Sequence, residues 1–345
     1  MIDKNIFPLE WRLSDDLVVP YHGKKVFGTF VCGGGSTMGY KLAGYNHLGG
    51  VEFMENYSRI YQANHHPQYF YTEDIRNFVN RTDLPSELYS LDLLDGSPPC
   101  AAFSTAGKRE KVWGVQSQYE STKQQKDDLP FVYLELIKKL QPKVFLLENV
   151  SGLAKGNAKV YLKNIFQSIS DMYDCQIFLL YAASMGIPQL RQRCFIIGKQ
   201  KKYSDIPKLD LTFKCPMTTF AVTKKYWDDE NLNKDKWVQK NTRLERLWEE
   251  TKIGGEHPIN FNTHKVSENK PIFTVTASTA LALSPLFHPY QRRTLNIEEI
   301  RLCCTFPLDF NFLDTPPINV MGRSVLPVMM ANISYQIYQQ WLKFM

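Results

Sequence analysis

The first two hundred residues alternate short apolar runs with longer segments that carry apolar residues at spacings of three and four. Six runs are typical of buried strands, namely VFGTFV from Val26, GGVEF from Gly49, LDLLD from Leu91, VFLLE from Val144, IFLLY from Ile177 and CFIIG from Cys194. The helix-like segments are NYSRIYQAN from Asn56, PFVYLELIKKLQP from Pro130 and AKVYLKNIFQSISDMY from Ala158. Strands and helices in alternation predict an α/β fold with a doubly wound parallel sheet.

The chain changes character after residue 198. Mixed charge with scattered tryptophan and lysine replaces the strand signals from Lys199 onward. Further on come the β-rich run PIFTVTAST from Pro271, a helix near NIEEIRLCCTFP and a helix from about Leu326. These changes predict four parts, which are a main domain over residues 1–198, a smaller mixed domain over 199–287, a supporting segment over 288–320 and a helical segment over 321–345 that returns to the main domain.

Composition limits the compartment and the partner. A chain of 345 residues, 43% of them hydrophobic, is long enough for a main core and a smaller second domain. We find no signal peptide and no apolar run long enough to cross a bilayer, so we expect a soluble cytoplasmic protein without a membrane partner. Seven cysteines without a CxxC pair favour neither disulfides nor a metal site. A net charge of +6 favours a polyanionic partner, although many proteins without a nucleic-acid role are equally basic.

A glycine-rich loop follows the first predicted strand, in TFVCGGGSTMGYKLAG from Thr29 to Gly44. Such a loop lets the backbone approach a ligand while helix N–H groups point at it, but a tight turn without a ligand explains it equally well. The next predicted strand ends at Glu52, where doubly wound folds often place an acid on a ribose hydroxyl. Phe53 is a candidate for stacking on adenine. The alternatives are a solvated strand end for Glu52 and a core position for Phe53.

Cys100 follows two prolines in LLDGSPPCAAFS, Leu93 to Ser104, at the carboxyl end of a predicted strand. Open sheets of this class bind their ligands at that edge, and two prolines give a stiff, irregular loop. This setting favours an exposed nucleophile over a structural cysteine, which more often lies within a strand, as Cys32, Cys175 and Cys194 are expected to do.

Two further runs bring polar groups to the same edge. FLLENV delivers Glu148 and Asn149 at the end of a buried strand, where the carboxylate is either part of a salt bridge or available for acid/base chemistry. In PQLRQRCFIIG, the side chains of Gln189, Arg191 and Arg193 alternate, so an extended backbone places all three on one face. Two arginines there suit an anionic or carbonyl-bearing substrate, or simply a solvated surface.

Taken in chain order, these features resemble the DNA cytosine-5 methyltransferase family. The matching elements are the glycine-rich loop, Glu52, Asp74-Ile75, Pro98-Pro99-Cys100, Glu148-Asn149-Val150 and Gln189-x-Arg191-x-Arg193, followed by HPYQRRTLNIEEIRLCCTFP from His288 and NVMGRSVLP from Asn319. The resemblance implies a Rossmann-like S-adenosylmethionine-dependent methyltransferase sheet. It also makes residues 199–287 a target-recognition domain.

The resemblance implies a chemistry as well. The Cys100 thiolate would add to carbon 6 of cytosine, so that carbon 5 can attack the methyl group of S-adenosylmethionine. Glu148 would recognise the edge of the base, and Arg193, together with Arg191, would hold its carbonyl group. A base in a duplex is out of reach, so the family's base flipping is implied too.

The resemblance assigns further residues by position. Those implied to bind the cofactor are Phe30, Cys32, Gly33, Gly35, Glu52, Phe53, Asp74, Ile75, Pro98 and Ser324. Those implied to bind the substrate are Ser97, Phe103, Ser104, Asn149 and Gln189, with the segment from Ala101 to Asp128 as a loop that closes over DNA. The chain departs from the family at Thr29, where an acid is usual, and at Gly322-Arg323, where Gly-Asn is usual.

The expected partner is double-stranded DNA in a prokaryotic or phage-type modification system, where a cognate restriction endonuclease acting on the same site is a compatible partner. Two alternatives stay open. One is a cytosine-5 methyltransferase acting on tRNA, and the other is a non-catalytic DNA-binding relative, suggested by Thr29 and Arg323.

Overall fold

The structure is a computed structural model and describes residues 1–99, 128–154, 158–277, 279 and 284–345. Its strands are β1 Lys25–Thr29, β2 Asn46–Val51, β3 Tyr69–Tyr71, β4 Leu93–Gly96, β5 Val144–Val150, β6 Tyr173–Tyr181, β7 Gln192–Gln200, β8 Gly255–Glu256, β9 His264–Lys265 and β10 Leu286–Phe287. Its α-helices are α1 Gly35–Leu42, α2 Glu55–His65, α3 Ile75–Phe78, α4 Leu129–Leu140, α5 Ala158–Ile169, α6 Glu230–Asn233, α7 Arg243–Glu250, α8 Ile297–Cys303, α9 Pro317–Arg323 and α10 Pro327–Gln340.

The main sheet has seven strands in the order β3-β2-β1-β4-β5-β7-β6. Strands β1 to β5 run parallel, with Gly28 opposite Asp95 between β1 and β4 and Asp95 opposite Leu146 between β4 and β5. Their carboxyl ends therefore meet at one edge. The prediction of an α/β fold with a mostly parallel sheet is confirmed.

Strand β7 differs from the expectation, because it runs antiparallel to both β5 and β6. Only residues 182–191 connect β6 to β7, and they hold one short 3-10 turn, Ala182–Met185. A parallel return needs a crossover of a dozen or more residues, so this short link produces an antiparallel pair.

Helices cover both faces of the sheet. On one face, α1 and α10 pack together through side chains that include Met38, Met330 and Ile333. On the other face, α4 and α5 bury Ile137 and Ile165 against the strands. The predicted helices at α2, α4, α5, α8 and α10 all form. Among the described residues no helix is long and apolar enough to cross a membrane.

Residues 199–287 contain a small sheet in the order β10-β9-β8 and a small apolar cluster of Val238, Leu247 and Phe287. Much of the segment nevertheless packs into the main core, including Phe213, Phe220 and Ile272. The expected β-rich run from Pro271 is not a regular strand in its described part. It contributes a single bridge, from Ile272 to Gln189.

A buried ionic network ties this segment to α8. Both side chains of the Arg293–Glu299 pair are 0% exposed, and Nη2 of Arg293 lies 2.7 Å from Oε1 of Glu299. Asn296 caps α8 with its side chain and also donates to the carbonyl of Tyr226 and to the side chain of Asn233. Residues Arg293, Asn296 and Glu299 thus connect the start of α8 to Tyr226 and Asn233 of the preceding segment.

Candidate active site

The glycine-rich loop lies between β1 and α1 with an unusual backbone. Phe30, Cys32 and Gly34 adopt φ values of 56°, 48° and 84°, in the left-handed region. A Cβ at Gly34 would lie 2.0 Å from the ring of His65, so that position accepts glycine alone. The C-terminal segment closes over the same loop, because a Cβ at Gly35 would lie 2.3 Å from the carbonyl oxygen of Val325.

His65 supports this loop from α2, although no sequence motif points to it. Its Nε2 lies 3.2 Å from the carbonyl oxygen of Gly33, and the residue is 5% exposed. Burial lowers the pKa of His65 to about 3, so the imidazole is neutral and donates its Nε2 proton to Gly33.

Glu52 and Phe53 lie at the end of β2, next to the loop. The Glu52 carboxylate accepts the N–H groups of Cys32 at 2.8 Å and Met54 at 2.9 Å. Burial raises the pKa of Glu52, and Arg323 opposes that shift by its charge. Phe53 is 48% exposed, so its ring is available to a ligand rather than part of the core.

Asp74 and Ile75 begin α3 close to the same edge. Asp74 accepts the N–H of Arg76 at 2.9 Å and forms an ion pair with its guanidinium. The Ile75 side chain is 3% exposed and packs in the core, so it offers a ligand little surface. On the C-terminal side, Ser324 is buried and its hydroxyl donates to the carbonyl of Val320.

The loop after β4 is held by the end of β5. Asn149 donates from Nδ2 to the carbonyl of Pro98 at 3.1 Å and accepts the N–H of Val150 on Oδ1 at 2.8 Å. The buried hydroxyl of Ser97 has no hydrogen-bond partner among the described residues. Asn149 therefore fixes the turn immediately before Cys100. Cys100, Phe103 and Ser104 lie outside the described residues.

Glu148 and Arg193 face each other across the antiparallel pair of β5 and β7. Nε of Arg193 lies 3.0 Å from Oε1 of Glu148, and Glu148 is 9% exposed. Burial lowers the pKa of Arg193, and the Glu148 carboxylate counteracts that shift. The pair places a carboxylate and a guanidinium, both shielded from water, beside the Pro98 turn. Such a pair can bind a planar group with one acceptor and one polar edge.

Gln189 and Arg191 are buried on one face, as the period-two pattern predicts, but they bind groups of the protein rather than facing an open site. Gln189 donates to the carbonyl of Cys303 at 3.1 Å. Arg191 is 1% exposed and donates to the carbonyls of Val275 at 3.0 Å, Gly322 at 3.3 Å and Ser324 at 2.7 Å. Within the described part of the chain, Arg191 makes no hydrogen bond or ion pair with Glu148. It joins β7 to Val275 and to the C-terminal segment.

Asp95 is a further buried carboxyl group at this edge. It is 2% exposed, lies on β4 between the loop and Glu148, and accepts hydrogen bonds from Tyr40 and Ser36 of α1. Burial raises the pKa of Asp95 to about 7. In the sequence, its signal is a charged residue inside the apolar run LDLLDG, where a buried strand usually carries apolar side chains.

No metal cluster accompanies these groups, because the described residues contain no set of three or more His, Cys, Asp or Glu side chains that could hold a metal ion. The candidate site therefore consists of a glycine-rich loop, an exposed aromatic ring, buried carboxyl groups and the ion pair of Glu148 and Arg193. All of these lie at the carboxyl edge of the parallel strands.

Comparison with known proteins gives a consistent result. The model of the family "C-5 cytosine-specific DNA methylase" matches residues 25–339. The chain is 27% identical over 306 residues to the Type II methyltransferase M1.HphI of Haemophilus parahaemolyticus, covering 81% of this chain and 77% of that protein. It is 25% identical over 305 residues to the Type II methyltransferase M.HgiDI of Herpetosiphon aurantiacus, covering 84% and 86%. The solved structure of the Entamoeba histolytica methyltransferase EhMeth superposes with a TM-score of 0.65 at 14% identity, covering 92% of this chain and 98% of that one, and shares the fold. Because the family match spans most of its length, the chain belongs to the C-5 cytosine-specific DNA methylases.

Proposed function

We propose that this DNA cytosine-5 methyltransferase transfers the methyl group of S-adenosylmethionine to a cytosine that is flipped out of double-stranded DNA, through a transient bond to Cys100. The observation that carries the proposal is the buried Glu148–Arg193 pair, with 3.0 Å between Nε and Oε1, beside the turn that leads to Cys100. A cytosine ring offers a carbonyl oxygen to Arg193 and a nitrogen edge to Glu148. This pair therefore matches the part of the base that must be held.

The residues have complementary tasks in this reaction. The Cys100 thiolate forms a bond to carbon 6, and the electron pair displaced into the ring makes carbon 5 nucleophilic. Glu148 shares a proton with ring nitrogen 3, and Arg193 donates to the carbonyl oxygen, so both groups stabilise that charge. After methyl transfer a base takes the proton from carbon 5, and the bond from Cys100 to carbon 6 breaks. Both groups are shielded from water, which strengthens these interactions.

The residues present fit S-adenosylmethionine, which when bound supplies an electrophilic methyl group. The exposed Phe53 ring can stack on the adenine, and the Glu52 carboxylate can accept from the ribose hydroxyls. The loop from Gly33 to Gly35 leads into the N-terminus of α1, which favours the carboxylate of the methionine part. The buried Ser97 hydroxyl lies one residue before Pro98 and has no hydrogen-bond partner among the described residues.

We assign Gln189 and Arg191 to positioning rather than to contact with the base. Nε2 of Gln189 donates to a backbone carbonyl and a thiol, and both Nη atoms of Arg191 donate to backbone carbonyls. Residues 199–287 are proposed to recognise the target sequence. Two relatives are named Type II methyltransferases. We therefore place this protein in a restriction-modification system of a prokaryote or phage, with a cognate endonuclease as partner and cytoplasmic DNA as substrate.

The first experiment measures transfer of labelled methyl groups from S-adenosylmethionine to genomic DNA and, in parallel, to tRNA, followed by bisulfite sequencing. The expected result is label at carbon 5 of cytosine in one DNA sequence context. Label in tRNA alone would contradict the choice of DNA as substrate.

The matched variant is Cys100→Ser, because the hydroxyl is a much weaker nucleophile than a thiolate. We expect methyl transfer to fall below detection while DNA binding in a gel-shift assay stays within a few-fold of wild type. Cys215→Ser is the control, since this buried thiol lies away from the proposed site and contacts the carbonyl of Ile2. Wild-type transfer by Cys100→Ser would refute the assignment of the nucleophile.

A further inference from the structure

Asp95 is a buried acid that the reaction described above does not use. It is 2% exposed, and in the described part of the chain it has no lysine, arginine or histidine in an ion pair. From the described residues it accepts hydrogen bonds of neutral hydroxyls only, from Tyr40 at 3.2 Å and from Ser36. A buried carboxylate without a cation carries a desolvation penalty that no opposite charge offsets, so a bound cationic group is a natural partner for it.

The position of Asp95 indicates that use. The sheet order is β1-β4-β5, so β4 lies between the strand that enters the glycine-rich loop and the strand that carries Glu148. Asp95 is opposite Leu146 on β5, and Glu148 follows two residues later, on the same face of the sheet. A methyl donor held by the loop must reach a base held at Glu148. Along the sheet, Asp95 lies between these two regions.

The neighbouring residue Thr29 adds a second observation. It is 1% exposed, and its hydroxyl donates to the backbone carbonyl of Asp95 at 3.1 Å. The loop from Phe30 to Gly35 contains no acidic residue of its own. Asp95 supplies a carboxylate from the adjacent strand, hydrogen-bonded to Ser36 in the first turn of α1.

We propose that Asp95 is a cofactor-binding residue whose carboxylate pairs with the ammonium group of S-adenosylmethionine. The carboxylate of the same methionine part would lie at the N-terminus of α1, so both charges of the amino acid end would be matched. This inference rests on the proposed function, because it assumes that S-adenosylmethionine binds at the glycine-rich loop.

Among the described residues, the ionisable groups that interact electrostatically with Asp95 include three tyrosines and one acid. Tyr40 from α1, Tyr61 from α2 and Tyr133 from α4 all have pKa values raised by burial, so they stay neutral. Glu148 from β5 is the other acid whose charge acts on it. An ammonium group brought beside Asp95 would stabilise its charged form and lower its pKa, so binding near neutral pH would release part of a proton.

The test compares Asp95→Asn with wild type by isothermal titration against three ligands. S-adenosylmethionine carries both the sulfonium and the ammonium, S-adenosylhomocysteine carries the ammonium alone, and 5′-methylthioadenosine carries neither. We expect Asp95→Asn to bind the first two at least about tenfold more weakly and the third within about twofold of wild type, because only the charged hydrogen bond is lost.

Asp92→Asn is the matched control, since Asp92 lies on the same run but pairs with Lys143 at the opposite end of the strand. It should change all three affinities little. An equal loss for all three ligands in Asp95→Asn would mean a structural role for Asp95. Loss for S-adenosylmethionine alone would place the carboxylate at the sulfonium. Either result overturns the assignment to the ammonium group.

A second measurement uses the wild type alone, so it remains valid if Asp95→Asn does not fold. Binding of S-adenosylhomocysteine between about pH 6 and pH 8 should release part of a proton from Asp95, whereas binding of methylthioadenosine should release none. The release is measured by isothermal titration in buffers of different ionisation enthalpy. Equal proton release by both ligands, or none by either, would contradict the inference while leaving the proposed function intact. A wild type that binds none of the three ligands would contradict the proposed function itself, and the inference with it.

Discussion

At the scale of single residues, Glu148 is the group whose protonation the reaction needs most. Replacing it by glutamine keeps the size and one acceptor but removes the ability to share a proton with ring nitrogen 3. We expect Glu148→Gln to lower the single-turnover rate of methyl transfer by about a hundredfold or more. Affinity for S-adenosylmethionine should change little, because Glu148 lies on the far side of β4 from the glycine-rich loop.

Glu55→Gln is the control for this prediction, since Glu55 is exposed in the first turn of α2. Its rate should equal that of wild type. A Glu148→Gln variant that transfers methyl groups at the wild-type rate would mean that charge on the ring is stabilised by Arg193 alone or by a group outside the described residues.

The sequence predicts which single residues reach the site, but it does not predict all of their contacts. Glu148 and Arg193 were found because each ends or begins a buried strand, and the register of β5 against β7 then joins them. Arg191 follows the same two-residue spacing, yet its guanidinium binds carbonyls from residues more than eighty positions away. Period two predicts which face a side chain takes, but tertiary packing alone decides what it meets there.

At the scale of elements, α8 depends on the buried pair of Arg293 and Glu299. Removing one partner leaves an uncompensated buried charge, which costs about 3–5 kcal/mol of unfolding free energy. We therefore expect Arg293→Met to destabilise the protein by about that amount in urea unfolding. The double variant Arg293→Met with Glu299→Leu should recover a large part of the loss, because no charge is then left unpaired.

The neighbouring pair of Arg292 and Glu245 provides the comparison. The Arg292 side chain is 35% exposed, so Arg292→Met should cost less than about 1 kcal/mol. A loss as large as that of Arg293→Met would mean that truncation of any side chain in this turn disturbs α8. A double variant less stable than Arg293→Met would contradict the role given to the unpaired charge.

The helix predicted near NIEEIRLCCTFP forms as α8, and the structure adds a capping box of Asn296 and Glu299 at its start. The direction of β7 was not predictable from its composition. The apolar pattern of a buried strand is the same whichever direction the strand runs in the sheet. The short link after β6 determines the antiparallel pairing, but its length is known only once the ends of both strands are known.

At the scale of the whole molecule, residues 199–287 are less separate from the main core than their composition predicts. Phe213, Phe220 and Ile272 belong to the main core, whereas Val238 and Leu247 form a small cluster of their own with Phe287. Composition indicates where the surface changes, but it carries no information about which apolar side chains reach across the boundary. The part that can change without disturbing the main core is therefore narrower than residues 199–287.

This difference yields a prediction about target choice. Exchange of residues 228–265 for the corresponding segment of a relative with another target should change the DNA sequence that is methylated, since base edges are read by side chains of an exposed element. The fold and the rate per site should survive, because the main-core residues and the Val275 carbonyl that binds Arg191 stay in place. Bisulfite sequencing of DNA methylated by the chimera reports the target.

Exchange of all of residues 199–287 is the comparison, and it should lower the urea midpoint because Phe213, Phe220 and Ile272 are replaced together. If the shorter exchange folds, transfers methyl groups and keeps the original target, the bases are read by the second domain outside residues 228–265 or by another part of the protein.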